Sequence, residues 1–219
     1  MMKHNVSFDL EFKKNSYPGK FIVLEGIDGS GKTTQIQILE EALKKKNIPI
    51  FLTKNPTDHA IGKMIREVLA GTQKIPATAR QYLFCADRVV QEEEIIARLK
   101  KGETVISDRY FWSSVAYGMA DKNVTDERLL TAYSILSFYN EFILPDITIF
   151  LDVDVDTAVS RFSTKEKLEI YENKDFITKV KVNYDFLLNK FASEFTVIDS
   201  RKDLDSVTKE ILEKVEAIL

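Results

Sequence analysis

Residues 26–33 read GIDGSGKT and directly follow the apolar run FIVLE of residues 21–25. The octapeptide has the spacing G-x-x-x-x-G-K-[ST], and the amphipathic stretch KTTQIQILEEALKKK of residues 32–46 continues from it. Glycines let successive backbone N–H groups of such a loop turn inward, and the start of the following helix adds the positive end of its dipole. The stretch therefore predicts a loop that holds a di- or triphosphate.

The polar side chains of this loop have predicted roles on the bound nucleotide. Lys32 would bridge the outer phosphates, and the Thr33 hydroxyl would hold a Mg²⁺ ion bound to them. His4 and His59 lack metal-ligand spacing, so a Mg²⁺ ion carried by the nucleotide is the one metal that we predict. The loop alone is compatible with kinases, GTPases, ATP-driven machines and passive nucleotide binders. The loop residues predicted to contact this nucleotide are Gly26, Ile27, Asp28, Gly29, Ser30, Gly31, Lys32, Thr33 and Thr34.

Short apolar runs alternate with longer amphipathic stretches along the chain. Five runs read as buried strands: FIVLE, IPIFLT, ETVISD, ITIFLDV and EFTVID. Helical periodicity covers residues 32–46, 60–69, 78–102, 126–139, 156–162, 174–191 and 204–219. This alternation predicts an α/β fold with a five-stranded parallel sheet flanked by helices, in a single domain over residues 20–219. Residues 1–19 could form a short edge strand, an ordered arm or a frayed tail.

Composition limits the class of function. The 219 residues carry a net charge of −3, so no overall positive field attracts nucleic acid or an anionic membrane. The one cysteine, Cys85, lies in an apolar stretch, which is typical of a buried thiol in a reducing compartment. No apolar run approaches the roughly 18 residues of a membrane span, and the first residues lack a secretory or transit signal. We expect a soluble, cytoplasmic protein without nucleic-acid or membrane partners.

A second motif follows the strand TVIS. The sequence DRYFWSSVAYGMA places Asp108 and Arg109 at the carboxyl end of that strand, where open α/β sheets bind their ligands. Asp108 could orient Mg²⁺ or its waters, and the fork of Arg109 could grip two oxygens of an acceptor phosphate. A GTP-dependent switch would need D-x-x-G after the third strand and N-K-x-D, and the chain has neither motif at the required place. The sequence therefore favours phosphoryl transfer.

Together, FIVLEGIDGSGKTTQ and DRYFWSSVAYG resemble the thymidylate kinase family of P-loop nucleoside monophosphate kinases, and the resemblance covers nearly the whole chain from Lys20 onward. It implies a three-layer P-loop kinase fold with a short helical lid at about residues 161–174. It also implies Mg²⁺-dependent transfer of the ATP γ-phosphate to dTMP, which gives dTDP and ADP in dTTP biosynthesis. The family resemblance further implies a homodimer formed through helices beside the sheet, to which the apolar segment from Leu129 could contribute.

The resemblance also assigns roles to individual residues. The implied catalytic residues are Lys32, Arg109, Asp28 and Asp108, and Thr33 and Asp108 would hold the metal. LFCADR resembles the family element L-F-x-x-x-R, in which the aromatic ring stacks on thymine and the arginine contacts the base. Residues four apart share a helix face, so this spacing independently allows a ring and a forked donor to meet one planar base. The implied acceptor-binding residues are Asp28, Lys54, Phe84, Arg88, Arg109, Ser113, Ser114 and Tyr117.

Some positions depart from the family pattern. Lys54 stands where the family usually has arginine, and Ser114 stands where asparagine or glycine is common. Catalytic arginines of the family come from the phosphate loop or from the lid, yet the loop has Gly29 at that place and the lid offers only Arg161. Either lid lysines, Lys165 and Lys167, act less directly, or Arg161 moves in, or turnover is slow.

The segment VIDSRKDLDSV resembles the adenine-side loop of the family, with Arg201 as an implied ATP contact. Two alternatives stay open at this level. One is a related deoxynucleotide or deoxynucleoside kinase, because aspartate–arginine pairs after a strand recur in that group. The other is a catalytically weak nucleotide-binding protein, which the arginine-poor lid suggests.

Overall fold

The computed structural model describes residues 7, 9–122, 126–162, 171 and 173–219 of the chain. None of the helices in these ranges is both long and apolar enough to cross a membrane. The strands and helices follow in chain order as β1 (Lys13–Lys14), β2 (Phe21–Glu25), α1 (Lys32–Lys45), β3 (Ile50–Lys54), α2 (Ala60–Leu69), α3 (Ala77–Lys100), β4 (Thr104–Asp108), α4 (Phe111–Asp121), α5 (Arg128–Leu136), β5 (Ile143–Leu144), β6 (Ile147–Asp152), α6 (Val155–Phe162), α7 (Lys174–Lys190), β7 (Thr196–Asp199) and α8 (Leu204–Glu216).

The main sheet has five parallel strands in the order β3–β4–β2–β6–β7. The central strand β2 is buried along its whole length, as its continuous apolar run predicts. Leu24 of β2 pairs in register with Asp108 of β4. The phosphate loop and the aspartate–arginine motif therefore start side by side, at the carboxyl ends of the neighbouring strands β2 and β4. The predicted parallel sheet is confirmed.

Helices cover both faces of this sheet. One core, with Val23, Val105 and Tyr184 among its buried members, lies under α3, α4, α5 and α7. The opposite core includes Leu39 and Ile211 and lies under α1 and α8. These three layers are the predicted α/β architecture. The expected lid at residues 161–174 falls largely outside the described residues, and so do Lys165 and Lys167.

Helix α4 is absent from the sequence prediction. Nearly all of its residues are buried, because it packs between α3, α5 and α7. A helix without a polar face has no amphipathic period in its sequence, so its apolar residues do not mark it as helical.

The N-terminal arm, residues 9–16, packs onto the main core. Lys13 of β1 pairs in parallel with Ile143 of β5, and the ring of Phe12 stacks on Phe111 with centroids 5.2 Å apart. Farther along, the amide of Asn15 donates to the carboxylate of Asp146 at 2.6 Å. Of the three possibilities for this region, the described part forms a short strand within an ordered arm.

Candidate active site

The phosphate loop, residues 26–33, connects β2 to α1. Gly31 immediately precedes α1 and has a backbone φ of 97°. This is a left-handed conformation, which glycine adopts without steric cost. Gly29 has φ 81°, and a Cβ atom added there would lie 2.2 Å from the carbonyl oxygen of Ala158 in α6. An arginine at this position would displace α6, so the contact explains physically why the loop carries glycine there.

Lys32 folds back onto the phosphate loop. Its Nζ donates to the carbonyl oxygens of Ile27 at 2.9 Å and Gly26 at 3.1 Å. Burial, followed by repulsion from the nearby Arg109, lowers the pKa of Lys32 to about 8. An anionic phosphate beside Nζ would stabilise the charged form, so this lysine is poised to bind one.

The predicted metal residues lie together at the ends of α1 and β4. Thr33 Oγ1 is 3.3 Å from Asp108 Oδ2. The other carboxylate oxygen, Asp108 Oδ1, is buried and has no hydrogen-bond partner among the described residues. An unpartnered carboxylate oxygen beside a hydroxyl suits Mg²⁺ or a water molecule bound to it. The residues present therefore fit the ion that the sequence predicts.

Asp28 and Arg109 form an ion pair next to the loop. Arg109 Nη2 donates to Asp28 Oδ1 at 2.7 Å, and the Tyr117 hydroxyl donates to Asp28 Oδ2 at 2.8 Å. Arg109 Nη1 donates to the carbonyl oxygen of Gly26 at 2.8 Å and to Ser113 Oγ at 3.1 Å. Burial raises the pKa of Asp28, but the charges of Arg109 and Lys32 outweigh it, so the pKa lies below its usual value. Asp28 is therefore ionised at neutral pH.

A first cavity, here called the aromatic cavity, lies beside this ion pair. Arg88 is almost fully buried in its wall, and its guanidinium carbon lies 5.8 Å from the ring centre of Phe84. Arg88 Nη1 donates to Ser114 Oγ at 2.6 Å. The predicted acceptor-binding residues that line the cavity are Asp28, Phe84, Arg88, Arg109, Ser113, Ser114 and Tyr117. Aromatic surface with a few buried donors suits a planar, polar-edged ring.

A second cavity, here called the loop cavity, lies on the other side of the ion pair. Its lining residues are Asp28, Gly29, Gly31, Lys32, Thr33, Thr34, Lys54, Asn55, Asp108, Arg109 and Arg161. Asp28, Asn55 and Arg109 line both cavities. Lys54, which the sequence analysis places with the acceptor, borders the loop cavity and is not among the residues that line the aromatic cavity. Two ligand-sized hollows thus share one polar wall.

The two remaining arginines predicted to bind ATP differ in position. Arg161 lies over the phosphate loop, with Nη1 3.1 Å from the carbonyl oxygen of Gly29 and Nη2 3.0 Å from that of Ser200. Arg201 is held on the surface by Asp199, through contacts of 2.8 Å from Nε and from Nη2. A third hollow beside α8 is lined by Ser200 and Lys202 but not by Arg201. The contact between Arg201 and ATP stays a prediction.

Three further residues of the site, Glu25, Asn55 and Gln81, belong to no motif that the sequence shows. Glu25 is fully buried, and its carboxylate accepts hydrogen bonds from the backbone N–H of Tyr110 at 2.8 Å and the Tyr184 hydroxyl at 2.8 Å. The sequence does contain a signal for Glu25, because a charged residue at the end of an otherwise apolar strand, directly before the phosphate loop, is unusual. Asn55 and Gln81 line the aromatic cavity. Gln81 precedes Phe84 by three residues, so helical spacing places both on one face of α3.

Comparisons with known proteins agree on one family. A family model described as thymidylate kinase matches residues 24–211. A thymidylate kinase from Carboxydothermus hydrogenoformans is 36% identical over 195 residues, which covers 88% of this chain and 95% of that protein. A probable thymidylate kinase from Methanococcus maripaludis is 40% identical over 203 residues, covering 90% and 94%. A solved structure of Candida albicans thymidylate kinase matches with a TM-score of 0.80 at 31% identity, over 93% of each chain. On this sequence and structural similarity, the chain belongs to the thymidylate kinase family.

Proposed function

We propose that this chain transfers the γ-phosphate of ATP to dTMP in a Mg²⁺-dependent reaction that yields dTDP and ADP for dTTP biosynthesis. The observation that carries the proposal is the shared wall of the two cavities. ATP phosphates would occupy the loop cavity and the base of dTMP the aromatic cavity, and Asp28 and Arg109 border both. The two reacting phosphates would then meet at this wall.

Residues of the shared wall and of the loop cavity align the substrates and neutralise charge. An acceptor phosphate is already an anionic nucleophile near neutral pH, so alignment matters more than a general base. Lys32 would exchange its carbonyl contacts for the outer phosphates of ATP, and Thr33 with Asp108 would hold Mg²⁺. The ion, when bound, supplies positive charge to the phosphate oxygens. Arg109 would exchange its Nη1 contacts with Gly26 and Ser113 for the acceptor phosphate.

The aromatic cavity supports a pyrimidine deoxynucleotide as acceptor. Phe84 offers a ring face, and Arg88 offers donors for a carbonyl oxygen of the base. The Tyr117 hydroxyl is anchored on Asp28, which fixes its ring beside the place of the sugar. The comparisons do not favour the alternative of another deoxynucleotide or deoxynucleoside kinase. The presence of Arg161 over the loop supports a competent enzyme rather than a weak binder.

We also infer a homodimer. Large apolar side chains are exposed on α3 and α5: Tyr82, Val89, Val90, Leu130 and Tyr133. Exposed apolar surface of this kind marks protein contacts, and the family resemblance places the dimer interface on helices beside the sheet. A cytoplasmic location, a kinase domain over residues 20–219 and a lid near residues 161–174 belong to the same proposal.

The direct test is ADP formation from ATP and Mg²⁺ with each of dTMP, dUMP, dCMP, dGMP, AMP, thymidine or no acceptor. We expect dTMP to be the best acceptor. Arg109→Ala should lower kcat/KM for dTMP by about 10³-fold, because a cation on the transferred charge is lost. Arg98→Ala, which removes an arginine of α3 outside both cavities, is the matched control. Preference for a different acceptor, or full activity of Arg109→Ala, would contradict the proposal.

A further inference from the structure

Gln81 is a buried polar residue in the wall of the aromatic cavity. The residue is 6% exposed, and it lies on α3 one turn before Phe84 and two turns before Arg88. The amide Nε2 is buried and has no hydrogen-bond partner among the described residues. A buried N–H donor without an acceptor lowers the stability of the folded protein, because the donor loses its hydrogen bonds to water. Such groups are rare in folded proteins, so this one needs an explanation. A ligand that brings an acceptor into the cavity would supply one.

Gly118 of α4 makes room for this amide. A Cβ atom added to Gly118 would lie 2.4 Å from Gln81 Oε1, 2.9 Å from Ile135 Cδ1 and 3.1 Å from Gln81 Cδ. Any larger residue at position 118 would therefore push the Gln81 side chain from its place. Ser114, one turn earlier on α4, faces Arg88 in the same way, through a hydrogen bond of 2.6 Å. Two polar side chains of α3 thus rest on two small residues of α4.

Arg88 carries a second unpaired donor into the same wall. Ser114 Oγ accepts from Arg88 Nη1 and also from the Tyr139 hydroxyl at 2.7 Å, which fixes the guanidinium in one place. Arg88 Nε is buried without a partner among the described residues. Two buried, unpaired N–H donors on residues that line one cavity suit a ring whose edge carries acceptor oxygens.

We propose that Gln81 binds the polar edge of the acceptor's pyrimidine base, next to Arg88. The inference rests on the proposed function, which puts a pyrimidine in the aromatic cavity. The edge of thymine carries a carbonyl oxygen beside an N–H group, and a planar carboxamide matches this pair with its own donor and acceptor. The Gln81 amide can therefore form two hydrogen bonds with the base, whereas Arg88 can only donate.

The different hydrogen-bonding capacities of Gln81 and Arg88 determine which bases the cavity selects. A carboxamide can rotate to match the amino edge of cytosine as well, so Gln81 adds affinity without choosing between the bases. Arg88 cannot accept a hydrogen bond and so disfavours an amino group at the edge it faces. The polar edge is the same in thymine and uracil, so Gln81 should strengthen dTMP and dUMP binding by the same factor.

The test compares Gln81→Met with the wild-type enzyme. Methionine keeps the length and volume of the side chain but removes both hydrogen bonds. We expect KM for dTMP and for dUMP to rise by about tenfold, with kcat and KM for ATP within about twofold, because the base lies away from the reacting phosphates. Gln73→Met, the same change at an exposed glutamine outside both cavities, should leave all constants unchanged.

A measurement without turnover separates ligand binding from a structural role. In thermal unfolding, the free Gln81→Met protein should have a Tm no lower than wild type, because the substitution removes an unsatisfied buried donor. The increase in Tm on adding dTMP should be smaller than in wild type. A large loss of Tm in the free variant, with an unchanged increase on adding dTMP, would show that Gln81 acts only in folding and would overturn the inference.

Gly118→Ala provides an independent test of the geometry. The added methyl group should displace the amide and raise KM for dTMP when residue 81 is glutamine. In the Gln81→Ala background, the same substitution should raise KM by a much smaller factor, because no amide is left to displace and the methyl group meets only the flexible end of the Ile135 side chain. Equal effects in both backgrounds would contradict the inference.

Failure of this inference can be told apart from failure of the proposed function. If the wild-type enzyme uses dTMP but Gln81→Met leaves KM for dTMP unchanged, Gln81 is misassigned. If the wild-type protein does not use dTMP, the proposed function itself fails.

Discussion

Arg109 Nη2 lies 2.7 Å from Asp28 Oδ1, so a cation from the end of β4 and an anion from the phosphate loop are locked together. This pair stands between the loop cavity and the aromatic cavity. Its geometry depends on the Tyr117 hydroxyl, which holds the second carboxylate oxygen at 2.8 Å. The arrangement sets the position of the guanidinium before any substrate arrives.

Asp28→Asn should lower kcat for dTMP by about a hundredfold. The amide keeps the shape of the side chain but loses the charge that holds Arg109, and it offers only one oxygen to Arg109 and Tyr117. Steady-state kinetics at pH 7.5 measure the effect. Asp205→Asn, at an exposed position in the first turn of α8, should behave as wild type. A fully active Asp28→Asn enzyme would mean that the ion pair is not needed for transfer.

Lys32 should take up a proton when ATP binds at about pH 8.5. In the free protein its pKa is about 8, against 10.5 for an ordinary lysine, and phosphate oxygens would raise it again. Because the folded-state pKa is lowered, the buried charge destabilises the fold below pH 8, and this penalty disappears as the pH rises from 8 toward 10.5. Calorimetry of ATP binding in buffers of different ionisation enthalpy measures the uptake.

Two controls accompany this calorimetric experiment. Proton uptake by Lys32 should vanish at pH 6.5, where the lysine is charged in both states. It should also vanish in Lys32→Arg, because arginine stays protonated throughout this range. An equal uptake in Lys32→Arg at pH 8.5 would assign the proton to another group.

Glu25→Gln should lower the free energy of unfolding by about 3 kcal/mol. The fully buried carboxylate accepts from the backbone N–H of Tyr110 and from the Ser113 and Tyr184 hydroxyls, and an amide would present N–H groups to some of these donors. Urea denaturation gives the difference. Tyr184→Phe removes one partner only and should cost about 1 kcal/mol. A smaller loss for Glu25→Gln than for Tyr184→Phe would contradict this account.

Phe12→Ala should destabilise the protein by about 2 kcal/mol, because the ring of Phe12 stacks on Phe111 at the start of α4. The measurement is thermal or urea unfolding of the full chain. Lys14→Ala, at an exposed position of the same arm, should have almost no effect. If both variants unfold as wild type, the arm does not contribute to the stability of the domain.

The sequence predicts the parts of this molecule whose pattern is local. The sheet strands, the phosphate loop and the pairing of Phe84 with Arg88 each follow from spacing within a few residues. Helix α4 could not be recognised, because burial on nearly every side removes the periodic pattern.

The contact of Gln81 with Gly118 joins residues 37 positions apart on two helices, so only the folded chain shows it. The ion pair between Arg109 and Asp28 could not be predicted from the sequence either, because it depends on how the ends of two strands meet. The resemblance to known kinases supplied the roles of residues, but not these contacts.

The shared wall links the affinities of the two substrates. Because Asp28 and Arg109 border both cavities, ATP and the acceptor change the surroundings of the same two charges. Any factor by which bound ATP alters the dissociation constant of dTMP must equal the factor by which dTMP alters that of ATP. Substitutions at either residue should therefore change this coupling free energy, and the order in which the substrates are added cannot alter its value.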